Sequence, residues 1–137
     1  MKKFYLVLAT LVVTTIFYSF INNSNSTIST AGHDKVVVLN QTNFDLTIKK
    51  GVTVVDFWAT WCRPCHLQAP IVEELSTELK KITFGKIEVD KNRSIAGKYG
   101  IHSIPTLIVF KDGIEQERII GLHDKPTLKS IIQKYTK

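Results

Sequence analysis

The chain has 137 residues, 44% hydrophobic and 22% charged, which is enough for one domain with its own core and too little for two. Its formal charge is +6; without Lys2 and Lys3 there remain 16 basic and 12 acidic residues, or +4, and they are interspersed with no aromatic-laced basic stripe, so no nucleic-acid partner is expected. Only two cysteines occur, three positions apart, which excludes both a disulfide framework and a four-thiolate zinc site.

Lys2 and Lys3 precede eighteen uncharged residues, "FYLVLATLVVTTIFYSFI" (4–21), the pattern of a targeting segment. A signal-peptide core runs about 7–15 residues and a membrane span about 17–25. Both a cleaved signal and a retained hydrophobic anchor helix therefore stay open. Ser29-Thr30-Ala31 resembles a small-residue cleavage site, and "NNSNSTISTAG" (22–32) serves equally well as a polar tether. Residues 1–31 are accordingly read as signal peptide or anchor plus linker, and 32–137 as the folded domain. That domain is expected to be exported, periplasmic or anchored to the outer face of the cytoplasmic membrane, because Lys2 and Lys3 hold the N-terminus inside.

The domain opens with a β-branched run, "KVVVLN" (35–40), read as a strand. Thr42 with Asp45 is expected to cap a short helix carrying Phe44 and Ile48, stopped by Gly51. "VTVVDFWA" (52–59) is a nearly continuous apolar run, as expected of a strand covered on both faces, and contains one acid, Asp56. Next, Leu67, Ile71, Val72, Leu75 and Leu79 define one face of a helix, with Pro70 kinking it. "ITFGKIEVD" (82–90) is a second buried strand with Lys86 in its middle, followed by a short helix around Ile95, Ala96 and Tyr99 that Gly100 closes. "IPTLIVF" (104–110) is a strand, Asp112-Gly113 a hairpin turn, and "EQERIIGL" (115–122) its antiparallel return. Pro126 opens a last helix with Leu128, Ile131, Ile132 and Tyr135 on one face.

Chemistry concentrates in "WCRPCH" (61–66), which has two readings. As C-x-x-C-H, Cys62, Cys65 and His66 would attach a c-type haem; as a dithiol, the two cysteines would open and close a disulfide. Met1 is the only methionine, so His/Met haem ligation is ruled out, while bis-His ligation is not. Among His33, His66, His102 and His123 none shows the H-x3-5-H spacing of structural zinc. The dithiol reading is favoured by position: a buried strand delivers Cys62 to the start of a helix, where free N–H groups and the macrodipole stabilise a thiolate.

Four segments in order then resemble the thioredoxin family: "VVDFWATWCRPC", "KIEVDKN", "KYGIHSIPTLIVFKDG" and "IIGL", within a similarity covering about residues 36–135. The resemblance implies an α/β thioredoxin fold, a central mixed sheet of about five strands flanked by about four helices. It implies a thiol–disulfide oxidoreductase needing no cofactor beyond the Cys62–Cys65 disulfide. By the same resemblance Cys62 matches the exposed nucleophile and Cys65 the buried resolving cysteine. Asp56 matches the acid that exchanges a proton with Cys65, and Lys86 its lysine neighbour; a purely structural Asp56–Lys86 ion pair is the alternative. Pro105 matches the cis-proline against the dithiol, although an ordinary trans bond is the general rule. Trp61, Ile104, Gly121 and Leu122 match the apolar surface that receives a substrate segment, with Arg63 and Pro64 inside the motif. Trp58 is read as core, and His102 and His123 as plain surface.

The chain departs from cytoplasmic thioredoxins at Arg63, His66 and Ser103, where that pattern carries glycine, usually lysine, and glycine. A guanidinium beside Cys62 favours its thiolate and makes the couple more oxidising. "FWATWCRPC" also resembles membrane-tethered thioredoxin-like proteins that reduce apocytochrome thiols, whose usual insertion this chain lacks. The expected partners are disulfide-bonded or dithiol proteins outside the cytoplasm and a membrane or soluble electron donor, with a membrane contact through the N-terminal segment if it is retained. Reductase is the primary expectation, oxidase or isomerase tuned by Arg63 the second, and a non-catalytic binding module the rival from another class.

Overall fold

A computed structural model describes residues 36–136; the signal or anchor segment expected at 1–31, with Lys2 and Lys3, lies outside the described residues. Five strands and four helices follow in the order β1 (Val36–Val38), α1 (Phe44–Ile48), β2 (Val52–Trp58), α2 (Arg63–Glu78), β3 (Thr83–Glu88), α3 (Arg93–Lys98), β4 (Thr106–Lys111), β5 (Ile114–Ile120) and α4 (Lys125–Gln133). They form one mixed sheet in the order β1-β3-β2-β4-β5. β1 and β2 run parallel to β3, while β4 is antiparallel to both β2 and β5. Among the described residues no helix is long and apolar enough to cross a membrane.

Central position explains the composition of β2. With β3 on one side and β4 on the other, its backbone groups are paired along both edges, and its interior residues from Thr53 to Phe57 are all buried. Its side chains alternate between two cores. Val54 points into a cluster with Val72, Leu75, Phe84, Val109, Leu128 and Ile132, beneath α2 and α4. Val55 and Phe57 point the other way, to Phe44, Ile87, Ile108 and Phe110 under α1 and α3. There Phe44, Tyr99 and Phe110 stack with tilted and edge-on geometry, ring centroids 5.3–6.0 Å apart. Each such side chain contributes about 1.5–3 kcal/mol by leaving water.

Three local expectations are corrected. The first helix is not capped by Thr42: Asn40 Oδ1 accepts from the Thr42 and Asn43 amides at 2.8 and 3.3 Å and from the Thr42 hydroxyl at 2.6 Å. The Thr42 hydroxyl is thus turned back to Asn40, two residues earlier, and Asn43 stands at the N-cap with no side-chain cap bond. The last helix begins at Lys125, one residue before Pro126, because Asp124 Oδ1 accepts from the Thr127 amide at 2.9 Å. The buried stripe of α2 is also shifted: Leu67 is 57% exposed, whereas Gln68 is fully buried. Helical spacing from Cys65 leads to Gln68, Val72 and Leu75, and a polar residue within that series displaced the apolar reading by one position.

The hairpin follows its turn chemistry. Asp112 and Gly113 both have positive φ, 50° and 84°, which suits the right-handed twist of β4 and β5. Asp112 also joins the turn to the β2 entry, its Oδ1 accepting from the Gly51 amide at 2.9 Å.

Candidate active site

The dithiol sits where β2 hands over to α2. Cys62 is the N-cap of α2, and its Sγ accepts from the Cys65 amide at 3.2 Å. Pro64, in the first helical turn, needs no amide partner there, which suits it to this position. Cys62 and Cys65 are joined in a disulfide. Neither sulfur is therefore free to form a thioether to haem. The ring of His66 is turned back onto the loop, its Nε2 2.8 Å from the Thr60 carbonyl and its plane in a T-shaped arrangement with Trp58, centroids 6.3 Å apart.

One expectation fails here. Cys62 is not exposed: it is 3% accessible, against 1% for Cys65. With the disulfide closed, both sulfurs lie in a small apolar cluster with Ala59, Trp58, Val89 and Ile104. Attack by an external thiol on this form therefore needs approach along the cluster's rim, where Trp61 stands 69% exposed. The indole is held rather than loose, its Nε1–H donating to Asp90 Oδ2 at 2.7 Å.

Asp56 lies two residues beyond Val54 and so faces the side of the sheet that α2 covers. It is 4% exposed and its Oδ1 has no hydrogen-bond partner. In register it has Lys86 on one side and Leu107 on the other. No ion pair joins it to Lys86, so a structural salt bridge does not account for the acid. Burial raises the Asp56 carboxyl from 3.8 to about 7, and the Lys86 charge only partly opposes this. A group poised near neutrality can hold or release a proton at working pH.

Two backbone segments complete the rim. Ile104–Pro105 is a cis peptide; Pro105 is buried and its carbonyl accepts from the Gly121 amide at 2.8 Å. Gly121 has φ 91°, a conformation that disfavours any side chain, and it presents Leu122, 45% exposed. Arg63 and Pro64 are both exposed at the start of α2. A groove of about 350 Å³ runs past Trp61, Val89, Ile101, His102, Ser103 and Ile104. His102, expected to be plain surface, is thus part of its wall. Of the predicted site residues, Ile104 packs directly against the two cysteines, Trp61 shares the groove with Ile104, Pro105 and Gly121 are joined by a backbone bond, and Asp56 pairs in register with Lys86 on the sheet face beneath α2.

Sequence reasoning missed Gln68, whose amide reaches the backbone of His123; the signal was its place three residues after Cys65 on the buried side of α2. Among the described residues no group of three or more His, Cys, Asp or Glu side chains is placed to hold a metal ion.

Comparison with known proteins agrees in extent and in kind. The family model described as Thioredoxin matches residues 35–134. The thioredoxin of Chlamydia pneumoniae is 47% identical over 100 residues, covering 73% of this chain and 98% of that protein. The thioredoxin of Staphylococcus saprophyticus is 46% identical over 101 residues, covering 73% and 97%. Among solved structures, a mutant thioredoxin from Halobacterium salinarum superposes with TM-score 0.71 at 38% identity, covering 78% of this chain and 96% of that one. A thioredoxin from Malassezia sympodialis gives 0.67 at 34% identity, covering 74% and 91%.

Proposed function

The chain belongs to the thioredoxin family, and from that premise we propose that it works as a reductase of protein disulfides outside the cytoplasm. As a thiol–disulfide oxidoreductase it uses the Cys62–Cys65 disulfide itself as redox group, without an external cofactor. In the reductive direction the Cys62 thiolate attacks one sulfur of a partner disulfide, forming a mixed disulfide and releasing the partner's first thiolate. Cys65, its proton passed to Asp56, then attacks Cys62 Sγ. This closes the Cys62–Cys65 disulfide and frees the second partner thiolate, so two electrons have passed to the partner.

The observation that carries this reading is the coincidence of two features at one strand–helix junction. A cysteine at a helix N-cap has its thiolate stabilised by the amides it faces. An unpaired buried carboxyl near neutrality sits on the sheet face beneath the same helix. Lys86 is assigned the role of tuning Asp56, since its charge is the one that opposes the rise. Trp61, Ile104, Pro105, Gly121 and Leu122 are assigned to docking the partner's extended segment, with Arg63 and Pro64 lining the approach to Cys62.

Location outside the cytoplasm is supported by Lys2, Lys3 and the eighteen uncharged residues that follow. A reductase there has no cytoplasmic dithiol pool to recharge it, so a membrane or soluble electron donor must reach the same face. The deciding experiment is the reduction potential of the Cys62–Cys65 couple, read from tryptophan fluorescence in glutathione or dithiothreitol buffers. A value near about −270 mV supports a reductase; one near about −120 mV, where Arg63 would hold the thiolate strongly, makes the protein an oxidase or isomerase and overturns the direction proposed.

A further inference from the structure

We propose that Gln68 is a positioning residue that holds the Gly121–Leu122 docking strip in register with the dithiol; this rests on the docking role proposed above for those two residues. Gln68 lies three residues after Cys65 on α2 and has no exposed surface. Its amide makes two reciprocal bonds to one residue far away in sequence: Oε1 accepts from the His123 amide at 2.9 Å, and Nε2 donates to the His123 carbonyl at 3.2 Å. The side chain thereby does what an adjacent strand would do, pairing both polar groups of one backbone unit. The arrangement fixes the amide's orientation, because the His123 N–H can only donate and its carbonyl can only accept.

The strip is otherwise tied at one end only. The Gly121 amide bonds to the Pro105 carbonyl at 2.8 Å, and the Gly121 carbonyl lies 3.0 Å from His123 Nδ1. β5 ends at Ile120, so beyond it no ladder continues. Leu122 is thus suspended between two anchors, the Pro105 loop and Gln68. The second anchor belongs to the helix that begins at the dithiol, so movement of that helix and movement of the strip are coupled. A glutamine buried among Cys65, Val72 and Leu75 would lose affinity for the core relative to leucine unless its polar atoms were paired, and here both are.

The test compares rates on a disulfide-bonded protein and on a small aromatic disulfide, which needs no docking strip. Gln68→Met keeps the volume and removes both bonds. The expected result is about a tenfold fall in the ratio of protein to small-disulfide kcat/KM, with the reduction potential unmoved and the His123 amide exchanging with solvent at least about tenfold faster. A ratio unchanged within twofold, or both rates falling together, overturns the proposal. Leu122→Glu serves as the control on the docking role: a lowered ratio there with a normal ratio in Gln68→Met sinks the clamp alone, whereas a normal ratio in Leu122→Glu sinks the docking reading. Should Gln68→Met fail to fold, exchange in the wild-type protein decides: the His123 amide protected like that of Leu75 supports the clamp, and fast exchange overturns it.

Discussion

The sheet face beneath α2 holds two environments end to end. Toward the start of β2 and β3, Val54, Phe84 and Val109 meet Val72, Leu75, Leu128 and Ile132, none more than 2% exposed. One step along the same face, Asp56 and Lys86 take the register positions after Val54 and Phe84. The first region lowers the free energy of the folded chain by excluding water from hydrocarbon. The second does the opposite, because a carboxyl without partners is desolvated there. The strands supply an identical scaffold to both, so the change from stability to chemistry is made by two side chains.

The comparison breaks most sharply at the disulfide itself. Cys62→Ser should abolish turnover of protein disulfides, a loss beyond about a thousandfold, while the fold persists. Cys65→Ser should accumulate partners as mixed disulfides on Cys62. A Cys65→Ser protein that captures nothing from a mixture of disulfide-bonded proteins would show that the site end of the sheet does no exchange chemistry.

Asp56 comes next. Its carboxyl is raised from 3.8 to about 7, so between those values the folded state holds a proton that the unfolded state has released. Stability therefore falls as pH rises from about 4 to about 7 and stays low above it. At 1.36 kcal/mol per unit the loss is on the order of 4 kcal/mol. Asp56→Asn should flatten that profile and exceed the wild type at pH 8, while slowing the step in which Cys65 resolves the mixed disulfide. Urea unfolding of the oxidised proteins at pH 4 and pH 8 checks it, and parallel profiles would refute the burial argument. In the apolar region the sign reverses: Leu75→Ala should cost about 3 kcal/mol at either pH by leaving a cavity, with the reduction potential unmoved.

How much of this was legible in the sequence depends on which force places each residue. The run from Val52 to Trp58 and the Asp112-Gly113 turn follow local rules, and the structure has both. Asp56 stood out because an acid in such a run conflicts with its surroundings. Gln68 did not, because its bonds reach His123, 55 residues away, and no local pattern encodes them. Leu67 was read as core for the same reason: an apolar side chain scores as buried whether or not a partner element covers it. At the start of α1 the N-cap is Asn43, without a side-chain cap bond, and Thr42 turns its hydroxyl back to Asn40, a choice between neighbouring acceptors that spacing alone does not rank.

Glu78 gives the smallest effect and the cleanest contrast with Asp56. It lies at the far end of α2, where it accepts from Lys125 at 2.5 Å and Lys129 at 2.7 Å and links α2 to α4. The hydrogen bonds from Lys125 and then Lys129 lower its carboxyl from 4.5 to about 2. Here the unfolded state binds the proton first, so the contribution is complete above about 4.5 and is lost as pH falls toward about 2, the reverse of Asp56. The group is open to water and screened by salt, so Glu78→Gln should lower Tm by a few degrees at most at pH 7, less in high salt, and not at all near pH 2. A difference that survives at pH 2 would mean that Glu78 acts through packing, and the two carboxyls would no longer be opposite cases of one linkage. If instead the difference fades as pH falls while the Asp56→Asn difference grows as pH rises, Asp56 on β2 and Glu78 at the end of α2 set opposite edges of the protein's pH range. The one that weakens the fold is the one buried on the sheet face beneath α2.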